Sequence, residues 1–282
     1  MTTKLLHKPD EQTMSSGVLF IAFDSETDHN KTIHYTQLAR IAKNLAKRHL
    51  GLPCAIVSDS VHTGFDESIV VDNIDASNRH VKIGDTHQSY PWYNNYRVRA
   101  DQLTPWSRTL ILDVDYFLQS SNFLNVVNSD SEFSIIKNTY DPTGRQSFDR
   151  YRFLPNRTIP QLWATAMCWD NRAEYIFDYA REIHENYQYY SRVFGFSEKV
   201  YRNDMIFSIA AHMAKSDVIP FPMWMTSSDC DIEDANNSGL KISYDVAGQK
   251  HVQRIGTDIH MLSKSIATDY QLLDKLEQWS LQ

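Results

Sequence analysis

Two aspartates follow a run of apolar residues in the segment Thr109-Leu-Ile-Leu-Asp113-Val-Asp115. The apolar run predicts a buried strand, and the spacing of the aspartates allows both carboxylates to point the same way at its carboxyl end. Carboxylate oxygens are the ligands that hard divalent cations such as Mg²⁺ and Mn²⁺ prefer. Such an ion can bind a diphosphate and neutralise the charge of a leaving phosphate. The alternative is a solvated strand end whose acids cap a helix.

Other strands and helices must place this segment in a sheet. Val18–Phe23 is apolar throughout, which is typical of a parallel strand covered on both faces. An amphipathic helix follows, with apolar positions from Leu38 to Leu45, and Gly51 ends it before a second strand, Cys54–Val57. Strand, helix and strand in succession form a βαβ unit, so we expect an α/β fold with a mostly parallel central sheet flanked by helices.

The remaining elements follow from the same patterns. Further strands are predicted at Phe133–Lys137 and Ala164–Trp169. Further helices are predicted at Tyr93–Leu103, Arg172–Asn186, Asn203–Met213 and Leu272–Trp279. Residues 60–90 and 138–160 are predicted to be irregular.

Composition restricts the class of protein. The chain has 282 residues, of which 42% are hydrophobic and 22% charged, as in ordinary globular proteins. We expect one domain over residues 1–282, with residues 1–16 as a flexible N-terminus. The net charge of −7 argues against a general electrostatic affinity for nucleic acid. Three widely spaced cysteines, no apolar signal core and no apolar run long enough to span a membrane predict a cytoplasmic protein.

The passage from Tyr96 to Asp115 resembles the core of GT-A fold glycosyltransferases, particularly the glycogenin-like family. In that family a basic residue upstream of an L-D-x-D motif contacts the sugar nucleotide, and Arg97 stands at its position in place of a lysine. The resemblance implies a single GT-A type domain and a retaining transfer from a nucleotide diphosphate sugar, usually a UDP-sugar. It also implies Mn²⁺ or Mg²⁺ at Asp113 and Asp115. Without the resemblance, an exposed helix charge explains Arg97 equally well.

A second part of the resemblance lies in Gly256-Thr-Asp258-Ile-His260-Met-Leu-Ser-Lys264. Family members have a histidine there as the third metal ligand, followed closely by a lysine that contacts the diphosphate. The resemblance thus implies that His260 is the third metal ligand and that Lys264 is a diphosphate contact. An imidazole can complete a Mn²⁺ site, and an ammonium group opposes the charge of the leaving group. The family's glycine between these two residues is missing here.

Shorter matches imply further roles. Asp204 stands at a predicted helix start where the family has an acid near the transferred sugar, which implies a catalytic role. The alternative is an acid favoured by the helix dipole. Phe23 and Asp24 stand at the end of the first strand, and the resemblance implies that they lie beside the nucleotide base and ribose. The alternative for Phe23 is core packing. Thr165 and Ala166 depart from the family's Asn-x-Gly pattern, so no acceptor contact is implied there.

The predicted loop over residues 138–160 carries four arginines interleaved with aromatic residues: Arg145, Arg150, Arg152 and Arg157. Such a combination can bind phosphates and stack on a displaced base. Small GT-A enzymes of bacteriophages include some that glycosylate hydroxymethylated DNA bases. A phage enzyme of this kind would act in the host cytoplasm and use Arg150, Arg152 and Arg157 to bind DNA. The alternative is a lid over the donor, with a saccharide, lipid-linked or protein acceptor.

The motifs of other enzyme classes with similar sheets are absent from this sequence. A sugar nucleotidyltransferase needs a glycine-rich phosphate loop after the first strand, and residues 24–28 contain no glycine. Neither G-x-x-x-x-G-K-[ST] nor G-x-G-x-x-G is present. The sequence favours a metal-dependent glycosyltransferase. A non-catalytic interaction protein is the alternative if the aspartate pair is structural.

Overall fold

The computed structural model of the protein describes residues 15–23, 34–71, 77–83, 86–144, 147, 152–198, 201–226, 230–236, 239–246, 249–262 and 268–282. The described residues form both α-helices and β-strands, and the first strand, the helix and the second strand follow one another as predicted. The predicted α/β class is therefore confirmed. Most of the N-terminal segment 1–16 lies outside the described residues, although the first strand already includes Ser16.

The central sheet has seven strands. In spatial order they are β11 (Asp217–Ile219), β8 (Phe133–Ile136), β10 (Trp163–Asp170), β6 (Arg108–Leu112), β1 (Ser16–Ile21), β2 (Cys54–Ser58) and β3 (Glu67–Val70). Strand β10 runs antiparallel to both of its neighbours, and all other pairs are parallel. The predicted mostly parallel sheet is confirmed.

Three smaller sheets accompany it. A four-stranded sheet has the order β7 (Tyr116–Phe117), β16 (Ile259–Met261), β12 (Met223–Thr226) and β9 (Thr139–Tyr140). A three-stranded sheet consists of β13 (Cys230–Asn236), β14 (Gly239–Val246) and β15 (Gln249–Ile255). Strands β4 (Ser77–Ile83) and β5 (Thr86–Trp92) form a hairpin.

The described α-helices are α1 (Tyr35–Leu50), α2 (Ala100–Leu103), α3 (Phe123–Val127), α4 (Glu174–Glu185), α5 (Tyr187–Phe194), α6 (Asn203–Ala214) and α7 (Tyr270–Leu281). Helix α1 ends as predicted at Gly51, which adopts a φ of 65° that glycine tolerates. None of the helices in the described ranges is long and apolar enough to cross a membrane.

Apolar side chains cover both faces of the central sheet. In β6, Leu110 and Leu112 belong to a cluster that includes side chains of α1 and α7, whereas Ile111 belongs to a cluster with α4 and α6. The alternation follows from the two-residue period of a strand. Burial on both faces explains why the strand sequences are continuous apolar runs.

Three sequence predictions about local structure are wrong. The single helix predicted at Tyr93–Leu103 is a 3₁₀-helix over Tyr93–Arg99 followed by the one-turn helix α2. The stretch predicted to be irregular over residues 60–90 contains β3, β4 and β5. The predicted loop 138–160 contains the short strand β9. Strands β4 and β5 are formed by pairing with each other. Their sequences are polar and do not alternate strictly between apolar and polar residues, so they carry no hydrophobic signal of a strand.

Gly17, in β1, packs directly against the indole ring of Trp106. A Cβ atom at this position would overlap the ring, and overpacking of this kind typically destabilises by about 1–3 kcal/mol. We expect Gly17→Ala to lower the free energy of unfolding by about this amount, measured by urea denaturation with tryptophan fluorescence. Gly256→Ala is the matched control, because a Cβ there meets no atom within 4 Å. Equal losses from both variants would contradict the packing explanation.

Candidate metal centre

The three predicted metal ligands lie together. Asp113, Asp115 and His260 each offer one ligand atom, and these atoms lie within 4.8 Å of one another. Nε2 of His260 is 3.1 Å from Oδ1 of Asp115 and 3.6 Å from Oδ2 of Asp113. Two carboxylates and an imidazole suit a divalent cation such as Mn²⁺. The side chains present therefore fit the predicted ion.

Strand register brings these ligands together. After β6, the Asp113 N–H donates to the carbonyl of Thr165 at 2.9 Å, and the Tyr116 N–H donates to the Asp113 carbonyl at 3.0 Å. Tyr116 then pairs with His260 between β7 and β16, and the Met261 N–H donates to the Asp115 carbonyl at 2.8 Å. Backbone pairing thus fixes a histidine that is 145 residues from Asp115 in the chain.

The centre is mostly buried, and its solvent-facing ligand is Asp113. The side chains of Asp115 and His260 are 12% and 5% exposed, whereas that of Asp113 is 23% exposed. Burial, together with the negative charge of Asp115, raises the pKa of Asp113, while Arg97 and His260 oppose this rise. A bound cation would relieve the repulsion between the two carboxylates.

Arg97 is buried against the centre. It is 2% exposed, its Nη2 donates to Oδ1 of Asp113 at 2.6 Å, and its Nη1 donates to the Ala164 carbonyl. The alternative of an exposed helix charge is therefore wrong. Because Arg97 binds Oδ1, the other carboxylate oxygen of Asp113 is the one that faces His260. The nucleotide contact that the resemblance implies for Arg97 stays a prediction.

Asp204 lies in the first turn of α6, beside β10. Its Oδ1 accepts a hydrogen bond from the Ala164 N–H at 2.9 Å, and its Oδ2 accepts one from Arg202 at 2.9 Å. Its charge also contributes to the raised pKa of Asp113. Asp204 thus holds the strand next to the centre, and its catalytic role stays a prediction.

Of the other predicted site residues, Phe23 lies in the hydrophobic core. Phe23 is 8% exposed and packs against Tyr96 with ring centroids 5.5 Å apart, in the core cluster of α4 and α6. This confirms its packing role and leaves its contact with a base as a prediction. The predicted residues Asp24, Arg145, Arg150 and Lys264 lie outside the described part of the chain.

Arg152 and Arg157 are exposed on one turn that leads into β10. The turn is closed by a bridge between Phe153 and Pro160 and by a hydrogen bond from the Arg157 N–H to the Leu154 carbonyl at 2.7 Å. Arg157 itself has a φ of 59°, which is uncommon for a side chain of this size. The two arginines therefore lie on a shared, solvent-facing turn.

Sequence reasoning missed two residues around the centre. Asp258 accepts hydrogen bonds from the Gln119 N–H at 2.7 Å and the Ser120 hydroxyl at 3.0 Å, which fixes the segment after β7 to the segment before β16. Burial raises the pKa of Asp258 to about 6. The Thr165 hydroxyl oxygen is 3.5 Å from Nδ1 of His260. Neither contact has a signal in the sequence, because each depends on how separate strands are aligned.

No protein-family model matches this sequence, and a search of curated proteins finds no match. Among solved structures, the chain is similar to the glycosyltransferase GlyE of Streptococcus pneumoniae TIGR4, with 13% identity over 73% of this chain and 45% of that chain and a TM-score of 0.43. It is also similar to the galactosyltransferase LgtC, with 12% identity over 67% of this chain and 68% of that chain and a TM-score of 0.41. Mouse xyloside xylosyltransferase 1 is similar at 13% identity over 72% of this chain and 84% of that chain, with a TM-score of 0.41. The chain spans less than half the length of the GlyE chain.

Proposed function

We propose that the protein is a metal-dependent glycosyltransferase of the GT-A type, which moves a sugar from a nucleotide diphosphate sugar to an acceptor hydroxyl. The observation that carries this proposal is the cluster of Asp113, Asp115 and His260 just beyond the carboxyl end of β6. In open, mostly parallel α/β sheets, ligands bind outside the carboxyl ends of the strands. Carboxylates held there next to an imidazole support binding of a cation together with a diphosphate.

The atoms that would hold Mn²⁺ or Mg²⁺ are Oδ2 of Asp113, Oδ1 of Asp115 and Nε2 of His260, because they face one another. When bound, such an ion acts as a Lewis acid and neutralises charge on the leaving diphosphate. Arg97 orients Asp113 through its other oxygen and brings a positive charge to the buried side of the centre. That charge also favours a diphosphate at the exposed side of Asp113.

The remaining donor contacts belong to the same proposal. Strands β1 and β6 are adjacent and parallel, so their carboxyl ends share one edge of the sheet. Phe23 and Asp24 follow β1 and are proposed to lie beside the base and ribose. Lys264 follows β16 and is proposed to contact the diphosphate, and Asp204 is proposed to act near the transferred sugar. A UDP-sugar is the donor that the family resemblance favours.

Calorimetry with UDP in the presence and absence of Mn²⁺ tests this proposal. We expect UDP to bind when Mn²⁺ is present and to bind much more weakly after EDTA treatment, because a cation held by Asp113, Asp115 and His260 would offset the negative charge of the diphosphate. A hydrolysis screen across nucleotide sugars then identifies the donor. Absence of metal-dependent binding to any nucleotide would favour the non-catalytic interaction protein.

The exposed turn with Arg152 and Arg157 carries a proposal about the acceptor. If DNA is the acceptor, replacing Arg150, Arg152 and Arg157 together with alanine should weaken binding of duplex DNA and leave donor hydrolysis nearly unchanged. Gel shifts with plain and hydroxymethylated duplexes at two salt concentrations measure this, since log affinity falls with log salt by about 0.7–0.9 per phosphate contact. Lys275→Ala, which removes an exposed charge from α7, is the control.

A lid over the donor gives a different result with the same triple variant. Donor KM then rises and the sugar becomes more accessible to water, whereas DNA affinity is unaffected. Wild-type protein that binds no DNA even at low salt would end the DNA-acceptor proposal. The glycosyltransferase proposal would stand without it, with a saccharide, lipid-linked or protein acceptor.

A further inference from the structure

We infer that Thr165 is a positioning residue for the candidate metal centre, which keeps the His260 ring oriented with Nε2 toward the two carboxylates. The inference rests on the metal site of the proposed function. It goes beyond that site because Thr165 touches neither the cation nor a substrate. Its hydroxyl acts on the ring nitrogen that faces away from the carboxylates.

The two ring nitrogens of His260 face different polar groups. Nε2 is 3.1 Å from Oδ1 of Asp115, and Nδ1 is 3.5 Å from the Thr165 hydroxyl oxygen. Thr165 is 3% exposed and His260 is 4% exposed. A buried ring nitrogen needs a hydrogen-bonding partner. The Thr165 hydroxyl is therefore placed to satisfy Nδ1 while Nε2 stays directed at the centre.

A hydroxyl is well suited to this position because it can both donate and accept. In the absence of a cation, the Nε2–H can donate to Asp115, and the hydroxyl can donate to Nδ1. A metal ligand must present the Nε2 lone pair, so the ring proton is then held at Nδ1 and the hydroxyl accepts from it. Valine has nearly the same shape, but it has no hydroxyl that could donate to Nδ1 or accept from the Nδ1–H. Partners of this type, which bind the second nitrogen of a ligating histidine, commonly raise metal affinity about 10–100-fold.

Hydrogen bonds connect the backbone around Thr165 with Asp113 and with two residues beside the centre, Arg97 and Asp204. Its carbonyl accepts the Asp113 N–H at 2.9 Å. The preceding peptide is bound from both sides, since the Ala164 N–H donates to Asp204 at 2.9 Å and the Ala164 carbonyl accepts from Arg97. Thr165 thereby connects Asp113 through its backbone with His260 through its side chain. These bonds hold the backbone from which the Thr165 hydroxyl reaches the ring.

Binding of Mn²⁺ to the full chain without nucleotide, measured by electron paramagnetic resonance, tests the inference. We expect Thr165→Val to lower Mn²⁺ affinity about 10–100-fold and Thr165→Ser to stay close to wild type, because serine keeps the hydroxyl. Thr109→Val is the matched control. Thr109 is a fully buried threonine on β6 whose hydroxyl bonds Thr104 at 2.6 Å instead of a metal ligand.

Spin-echo spectroscopy of the bound Mn²⁺ gives a second readout, since it detects a coordinated imidazole nitrogen. We expect this signal in the wild type and in Thr165→Ser, and its weakening in Thr165→Val. Wild-type affinity and nitrogen signal in Thr165→Val would overturn the inference, as would equal losses in Thr165→Val and Thr165→Ser. Wild-type protein that binds Mn²⁺ without the nitrogen signal would overturn it, together with the assignment of His260 as a ligand, and would leave the proposal of a metal-dependent glycosyltransferase intact. Wild-type protein that binds Mn²⁺ neither alone nor together with UDP would overturn the proposed function itself.

Discussion

Asp115→Ala should lower the rate of sugar transfer by at least about 1000-fold, and donor hydrolysis without an acceptor should fall equally. A loss of this size corresponds to roughly 4 kcal/mol of transition-state stabilisation. Asp115 is buried, and its Oδ1 lies 3.1 Å from Nε2 of His260. Alanine removes both a ligand atom and the negative charge that attracts the cation. The measurement is transfer at saturating Mn²⁺, beside a Mn²⁺ titration of the same variant.

Two further variants sharpen this result. Asp115→Asn keeps the shape of the side chain and removes its charge, so we expect a large loss here as well. Asp178→Ala removes an acid from α4 whose side chain is 66% exposed, and it should transfer sugar like the wild type. Near wild-type transfer by Asp115→Ala with Mn²⁺ present would contradict the site assignment.

Asp113→Ala should abolish transfer for the same reason, but it has a structural effect too. Arg97, whose side chain is 3% exposed, would lose the carboxylate that now lies 2.6 Å away. An unpaired buried charge is strongly destabilising. Loss of activity in this variant therefore combines a missing ligand with a weakened fold, and Asp115 gives the cleaner test.

Asp170→Ala should lower the free energy of unfolding by about 3–5 kcal/mol, because it leaves a buried arginine without its carboxylate. Nη1 of Arg108 is 2.9 Å from Oδ2 of Asp170, and the two side chains are 6% and 9% exposed. Nη2 of Arg108 also donates to the Val126 carbonyl at 3.0 Å, so the guanidinium cannot turn to water without losing further bonds. Urea denaturation at neutral pH measures the change.

The same carboxylate makes stability depend on pH. Burial acts to raise the pKa of Asp170, but hydrogen bonds and charge from Arg172, together with the charge of Arg108, lower it below its ordinary value. A lowered pKa in the folded state stabilises the protein fully above the unfolded value of about 3.9, and this stabilisation is lost as the pH falls through the folded value. Wild type should therefore lose stability on acidification more steeply than Asp170→Ala.

Asp130→Ala is the control for both measurements. Its side chain is 99% exposed and contacts Arg172 at 3.1 Å, so it resembles Asp170 only in having an arginine partner. Exposed ion pairs contribute little to stability. A destabilisation by Asp130→Ala as large as that by Asp170→Ala would show that burial of the pair is not the cause.

The strand that ends before Asp113 was predictable because it has a strong local signal. The apolar run before Asp113 is buried on both faces of the sheet, and such burial is what makes a strand visible in a sequence. His260 had no such signal. It was found through the family resemblance, since its approach to Asp115 depends on the pairing of β16 with β7.

Contacts between elements account for what the sequence left out. Nothing in the surrounding residues indicates that Arg97 is buried against Asp113 or that Asp204 binds the Ala164 peptide. Helices α3 and α5 were also missed, because elements of five and eight residues are too short to show a clear helical period.

Two short strands, β7 and β16, hold Asp115 and His260 together. Tyr116 faces His260 in this ladder, so pairing of these strands places Asp115 beside His260 although 145 residues separate them in the chain. Insertions or deletions in loops between residues 118 and 256 can accumulate without moving the ligands. Evolution can thus alter the length and chemistry of the turn with Arg152 and Arg157, which we propose as an acceptor contact, while the arrangement of Asp115 and His260 is inherited unchanged.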